Sequence, residues 1–227
     1  MNEAEHIRLA VFDCDGTLVD SQHSIIGSMH AAFDGLNMAR ATDEAVRRVV
    51  GLPLLDAIAR LVPDASVETV ERLRDGYSAA WLEMRDNGGL DEPLYPGTTE
   101  TLAELESTGW VLGVATGKGH RGLVGTLEKH DVLDRFQTLQ TADRARGKPH
   151  PEMLIRAMEE TGAEPANTVM IGDTTFDVEM AVAADVMAIG VSWGYHESRE
   201  LTDAGACTVV NAYGELPALL AEIREKR

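Results

Sequence analysis

The 227-residue sequence is short of cysteine, of positive charge and of long apolar runs, and each shortage excludes something. Two cysteines, Cys14 and Cys207, cannot build a disulfide scaffold and lack the paired spacing of a zinc site. Twenty Lys and Arg face 38 Asp and Glu, a formal net charge of -18. A chain this acidic repels a nucleic-acid backbone and an anionic membrane surface. No stretch approaches the roughly 20 apolar residues that span a bilayer. Met1–Arg8 mixes Glu, His and Arg instead of forming the apolar core of a signal peptide. The expected location is the cytoplasm, with neither nucleic acid nor membrane as partner. Repeats and low-complexity segments are also missing, and no feature specifies an oligomeric state.

What is present is enough apolar material, 44% of residues, for a true core. The length suits one large domain or a domain carrying an insert. Ile7–Phe12 is a short apolar run cut off by Asp13-Cys14-Asp15-Gly16, which reads as a buried strand ending in a loop. From Ser21 to about Arg85 the spacing is helical. Ser21 and Thr42 stand where N-caps belong, Leu54–Leu61 makes a short helix, and Ser66–Met84 makes a long one. Asn87-Gly88-Gly89 and Pro93–Gly97 mark a linker.

Beyond the linker, helix and strand alternate. Strands are predicted at Trp110–Ala115, Phe136–Gln140, Thr168–Ile171 and Val186–Val191, with a weaker one at Cys207–Val210. Such alternation builds a doubly wound parallel α/β sheet, a Rossmann-like core, with an inserted all-helical cap. The expected division is 1–17 and 93–227 for the core and 18–92 for the cap.

Ligands of such sheets bind outside the carboxyl ends of the strands. Residues two apart in extended chain face the same way, so Asp13 and Asp15 share a site and Cys14 faces away. Adjacent carboxylates imply a cation or a shared proton, or else a simple turn. Thr116-Gly117-Lys118-Gly119 is either an anion-binding helix start or a capped turn. Lys148, between Gly147 and Pro149, is either a fixed point charge or a surface lysine. Asp173 and Asp177 bracket a helix start, where acids also serve as caps. Residues 110–150 run against the acidic trend, with seven Lys and Arg to four Asp and Glu. Taken together, the strand ends supply oxygen-rich ligands that suit magnesium.

Asp13-Cys14-Asp15-Gly16-Thr17-Leu18-Val19-Asp20-Ser21, Thr116, Lys148 and Gly172-Asp173 with Asp177 resemble, in order and spacing, the four motifs of haloacid dehalogenase-like phosphatases. The resemblance runs from about Leu9 to Val191 and is strongest to phosphoglycolate phosphatase-type members. It implies that Asp13 is the nucleophile, forming an aspartyl-phosphate, and that Asp15 is the general acid and base. It implies a magnesium ion held by Asp13, the Asp15 backbone carbonyl and Asp173, with Asp177 supporting that shell. It also implies that Thr116 and the Gly117 amide hold phosphoryl oxygens while Lys148 neutralises charge. Four Asp and one Lys sum to -3, so a phosphate dianion needs the divalent ion.

The implied activity is hydrolysis of a small phosphorylated metabolite, with 2-phosphoglycolate the best single candidate. True dehalogenases of the superfamily lack the acid at Asp15. A β-phosphoglucomutase-type mutase needs a second phosphate site, for which Arg47, Arg48 and Arg60 are available, and usually carries Glu-Asp where this chain has Gly172-Asp173. A pyrophosphatase and a non-catalytic phosphate-binding protein are further alternatives. The cap regions expected near substrate are the helix start at His23 and the Val50–Leu54 turn. Trp81 reads as cap core, and Trp193-Gly194-Tyr195 as either pocket wall or packing.

Overall fold

The computed structural model describes residues 6–225; the first five and last two residues, assigned above to the core, lie outside that range. Among the described residues six strands form one sheet: β1 (Arg8–Phe12), β2 (Trp110–Thr116), β3 (Phe136–Thr141), β4 (Thr168–Gly172), β5 (Met187–Val191) and β6 (Thr208–Val210). Every pairing is parallel, in the order β3-β2-β1-β4-β5-β6. The strand order reverses between β1 and β4, and a crevice opens there at the carboxyl ends. β1 is thus central, and the loop after it points into that crevice.

Between β1 and the rest of the sheet the chain forms a cap of α1 (Gln22–Gly35), α2 (Asp43–Arg47), α3 (Leu54–Leu61) and α4 (Val67–Asp86). Ile25, Met29 and Phe33 of α1 pack with Val46, Ile58 and Leu73 of the other three helices, giving the cap its own apolar centre. Thr42 and Ser66 cap α2 and α4 by accepting from the Ala45 and Thr69 amides. Ser21 holds the N-cap position of α1 as expected, but its side chain makes no capping hydrogen bond. Its hydroxyl lies 3.3 Å from Tyr195 Oη, and Asp20 accepts from the Gln22 amide instead. Asp20 N donates to Pro93 O and Tyr95 N to Leu18 O, so the chain leaves and re-enters the core at adjacent points.

The remaining helices are α5 (Thr98–Ser107), α6 (His120–Lys129), α7 (Glu152–Thr161), α8 (Thr175–Ala183), α9 (Ser198–Ala204) and α10 (Leu216–Glu225). Side chains alternate across a strand. Ala10 and Phe12 therefore meet Leu102, Leu123 and Leu216 of α5, α6 and α10 on one face. Leu9 and Val11 meet Met153, Val178 and Leu201 of α7, α8 and α9 on the other. Burial on both faces is why Leu9–Phe12 is an unbroken apolar run. Complete burial of Phe12 alone contributes on the order of 2–3 kcal/mol. Among the described residues, no helix is long and apolar enough to cross a membrane.

Candidate active site

The first strand runs into Asp13, whose amide still donates to Ile171 O at 2.9 Å. The chain then turns at Gly16, with φ +87°, where a Cβ would lie 2.3 Å from Asp173 Oδ2. Only glycine meets both demands. Thr17 Oγ1 donates to Asp173 Oδ1 at 2.8 Å, and Tyr195 N donates to Oδ2 at 2.9 Å. Thr174 caps α8, and Asp177 completes the capping box by accepting from Thr174 N and Oγ1 at 3.0 and 2.7 Å. The capping alternative is therefore true of Asp177, but only of its Oδ2. Its Oδ1 lies 2.6 Å from Lys148 Nζ, which is 2.8 Å from Asp13 Oδ1. Lys148 is no surface lysine; its side chain is buried completely.

Oxygens of Asp13, Asp173 and Asp177 lie within 4.8 Å of one another, all buried. Burial pushes the Asp13 carboxyl up to about 7 against the pull of Lys148, and Asp177 adds to the rise. Burial, then Asp13 and Asp177, push Asp173 well above its ordinary range. Burial opposes the charge on Lys148, yet Asp13 and Asp177 hold it above the usual lysine value. Two of the three carboxyls thus share one ammonium, and Asp13 Oδ2 is buried without a hydrogen-bond partner. A buried acceptor left open is costly unless a cation takes it. The all-oxygen donor set fits a hard divalent ion such as magnesium.

Thr116 ends β2 beside this cluster, buried, with its hydroxyl accepting from Lys118 N at 3.2 Å. Asp15 lines a cavity between cap and core and pairs with a second lysine. Its Oδ1 lies 3.1 Å from Lys118 Nζ, which donates to Glu92 Oε1 at 2.8 Å. Lys118, counted above with the basic stretch around the anion turn, therefore pairs with carboxylates. Glu92, on the linker, carried no sequence signal. Cys14 is buried, and burial followed by the Asp15 charge raises its thiol well above the usual value, which keeps it unreactive.

The cap lies closed on these loops. A Cβ at Gly117 would meet Leu52 O at 2.6 Å, and one at Gly147 would meet Pro53 Cγ at 2.0 Å. Arg48 at the end of α2 makes a two-pronged pair with Glu200 of α9, at 2.6 and 2.7 Å. Arg60 sits over the Phe176 ring and Arg47 Nε donates to Gln22 Oε1, and none of the three arginines lines the cavity between cap and core. This cavity measures about 840 Å³. Val50–Leu54 line it together with Asp15, Gly117, Lys118 and Trp81, whereas His23 is exposed and does not. Trp81 stacks on Tyr77 but also places its ring 4.3 Å from Lys118 Nζ, so it is more than cap core. Trp193 packs on Tyr213 and donates to Thr17 O, whereas Tyr195 reaches the cap cluster.

The haloacid dehalogenase-like hydrolase family matches residues 10–191, which include every strand-end residue named here. The chain belongs to this family. It is 37% identical over 215 residues to the "probable phosphatase IndB" of Dickeya dadantii, covering 92% of this chain and 91% of that one. It is 30% identical to the phosphoglycolate phosphatase of Nitrosococcus oceani, covering 94% and 96%. Among solved structures it matches a "predicted phosphatase" of Clostridium acetobutylicum with a TM-score of 0.85 and 26% identity, over 96% and 100% of the two chains. The chain is accordingly a phosphatase of the phosphoric monoester hydrolase class.

Proposed function

We propose that this phosphatase is magnesium-dependent and hydrolyses a small phosphorylated metabolite, with 2-phosphoglycolate the leading candidate, through an aspartyl-phosphate on Asp13. The observation that carries this reading is the buried cluster of Asp13, Asp173, Asp177 and Lys148 with Asp13 Oδ2 left open. Asp13, the Asp15 backbone carbonyl and Asp173 would hold the ion, which supplies positive charge against the phosphoryl oxygens. Asp177 fixes Lys148 and so supports that shell. Cap residues 18–92 close over core residues 1–17 and 93–227, and the cytoplasm is the proposed location.

An Asp13 carboxylate oxygen attacks phosphorus; the new O–P bond forms as the bond to the leaving oxygen breaks. Asp15 gives that oxygen its proton, so the alcohol leaves neutral. Asp15, now a carboxylate, takes a proton from water, whose oxygen attacks the phosphoryl group. The Asp13–phosphorus bond breaks and phosphate is released. Thr116 and the Gly117 amide hold equatorial oxygens, and Lys148 offsets charge on Asp13 and the phosphoryl group.

The test is phosphate release from 2-phosphoglycolate and from p-nitrophenyl phosphate, with magnesium or EDTA, for the wild type and Asp13→Asn. Loss of the nucleophile lowers kcat by at least about 10³-fold. Full turnover in the variant, or in EDTA, refutes the reading.

A further inference from the structure

The cavity holds many times the few heavy atoms of a glycolate group, so volume alone selects little. Arg74, Arg85, Arg121 and Lys129 line the cavity, but Lys118 is the cation paired with Asp15, where the leaving group is protonated. Its side chain is 8% exposed and lies on the cavity wall. It is anchored without help from Asp15. Glu92, itself fully buried, accepts from it at 2.8 Å and also accepts from Thr126 Oγ1 at 3.0 Å. The Glu92 backbone oxygen lies 2.6 Å from His130 Nε2, and the Trp81 face covers the ammonium from the cap. A buried ion pair is seldom retained for stability alone, because apolar residues of similar volume serve as well.

The distances state what this ammonium can reach. A leaving oxygen protonated by Asp15 lies about 2.8 Å from that carboxyl. Lys118 Nζ lies 3.1 Å from Asp15 Oδ1. Leaving oxygen and ammonium are therefore no more than about 6 Å apart when Oδ1 carries the proton, and about 8 Å when Oδ2 does. Carboxylate oxygens of a glycolate stand roughly 3 Å from its ester oxygen by ordinary bond lengths. A leaving group turned toward Lys118 thus brings its carboxylate within about 3 Å of the ammonium, the span of a charge-assisted hydrogen bond.

We propose that Lys118 determines specificity by binding an anionic oxygen within three bonds of the scissile oxygen, a carboxylate or a second phosphate on the leaving group. This rests on the phosphatase reading above and names its substrate class. Lys148 serves the phosphoryl half of the substrate and Lys118 the leaving half.

The test compares kcat/KM for 2-phosphoglycolate, for pyrophosphate and for the neutral phosphate monoester of ethylene glycol. Wild type, Lys118→Met and the double variant Glu92→Gln/Lys118→Met are measured with magnesium; the double variant removes the fully buried Glu92 charge that Lys118→Met alone would strand. Wild type is expected to prefer at least one anionic substrate over the neutral ester by about 10- to 100-fold, the range of a charge-assisted hydrogen bond. Both variants should reduce that preference to below about 3-fold. Which anionic substrate loses its advantage tells carboxylate from phosphate. Equal wild-type rates on all three overturn the proposal and leave the phosphatase standing. A preference that survives in both variants, or failure of both to fold, also overturns it. No wild-type turnover of any ester, p-nitrophenyl phosphate included, overturns the phosphatase reading and this one together.

Discussion

Gly147→Ala tests whether the closed cap is the reactive arrangement. Gly147 precedes Lys148 and lacks a left-handed φ, so alanine brings no backbone strain of its own. Its new Cβ would stand 2.0 Å from Pro53 Cγ and 2.7 Å from Cδ. Carbon atoms rest about 3.5–4.0 Å apart, so roughly 1.5 Å of separation must be found. The proline ring is locked to its backbone and cannot rotate aside. The start of α3 must therefore lift, and Leu52, pressed on Gly117, lifts with it. A misplacement of about 1 Å at a reacting centre costs about 10²-fold, which sets the expected fall in kcat/KM. Thermal stability should move little, because the cap keeps its own apolar centre. Pro53→Ala in the same chain removes the clashing atoms and leaves Cβ at 3.4 Å, an ordinary contact. Steady-state kinetics of the single and double variants decide the matter. The reasoning fails if Gly147→Ala keeps kcat/KM within about 3-fold. It fails equally if Pro53→Ala does not restore activity, since the damage would then run through Lys148.

Two further outcomes follow from the electrostatics. Asp13 is pushed up to about 7 by burial from an ordinary 3.8, so the folded chain keeps a proton that the unfolded chain has lost between those values. Stability tied to Asp13 is therefore greatest below about pH 4 and is lost as pH rises through about 7, by up to about 4 kcal/mol. Chemical denaturation in EDTA should show wild type losing ground to Asp13→Asn from pH 5 to 8, with magnesium reversing the loss; a flat difference contradicts it. The Arg48–Glu200 pair has side chains 43% and 36% exposed, so solvent screens it despite its two-pronged geometry. A double-mutant cycle should give a coupling below about 1 kcal/mol, and a value above about 2 kcal/mol would show that this pair holds the cap shut.

The core of the site was legible because a parallel sheet gathers its strand ends. Asp13, Thr116 and Asp173 each follow a short apolar run, and β2, β1 and β4 turn out to be neighbours. Periodicity also found the four cap helices, whose inward residues recur at helical spacing. It missed α9, which spans seven residues and buries only Leu201. The signals for α9 were local: Glu197 and Glu200 form a capping box, and Gly205 closes the helix with φ +118°. Glu92 could not be read at all. Its partners Lys118, Thr126 and His130 are 26 to 38 residues away, and the linker around it shows no pattern. The position of Ser21 at the N-cap was legible, but the partner of its hydroxyl, Tyr195, was not, because it is 174 residues away.

Two buried lysines divide the site's charge. Lys148 lies between Asp13 and Asp177, and Lys118 between Asp15 and Glu92. Counted as ionised, the first group with Asp173 carries -2 and the second carries -1. Both groups repel an incoming phosphate ester, but they are relieved differently. A divalent ion neutralises the first, and the proton that Asp15 must carry to act as an acid neutralises the second. Only then do both lysines face the substrate without a net opposing charge, one toward the phosphoryl group and one toward the leaving group. On the proposed mechanism the metal is thus a condition for binding the substrate as well as for the chemical step. The basic stretch of residues 110–150 supplies both lysines, which is how a chain of net charge -18 accommodates a dianion.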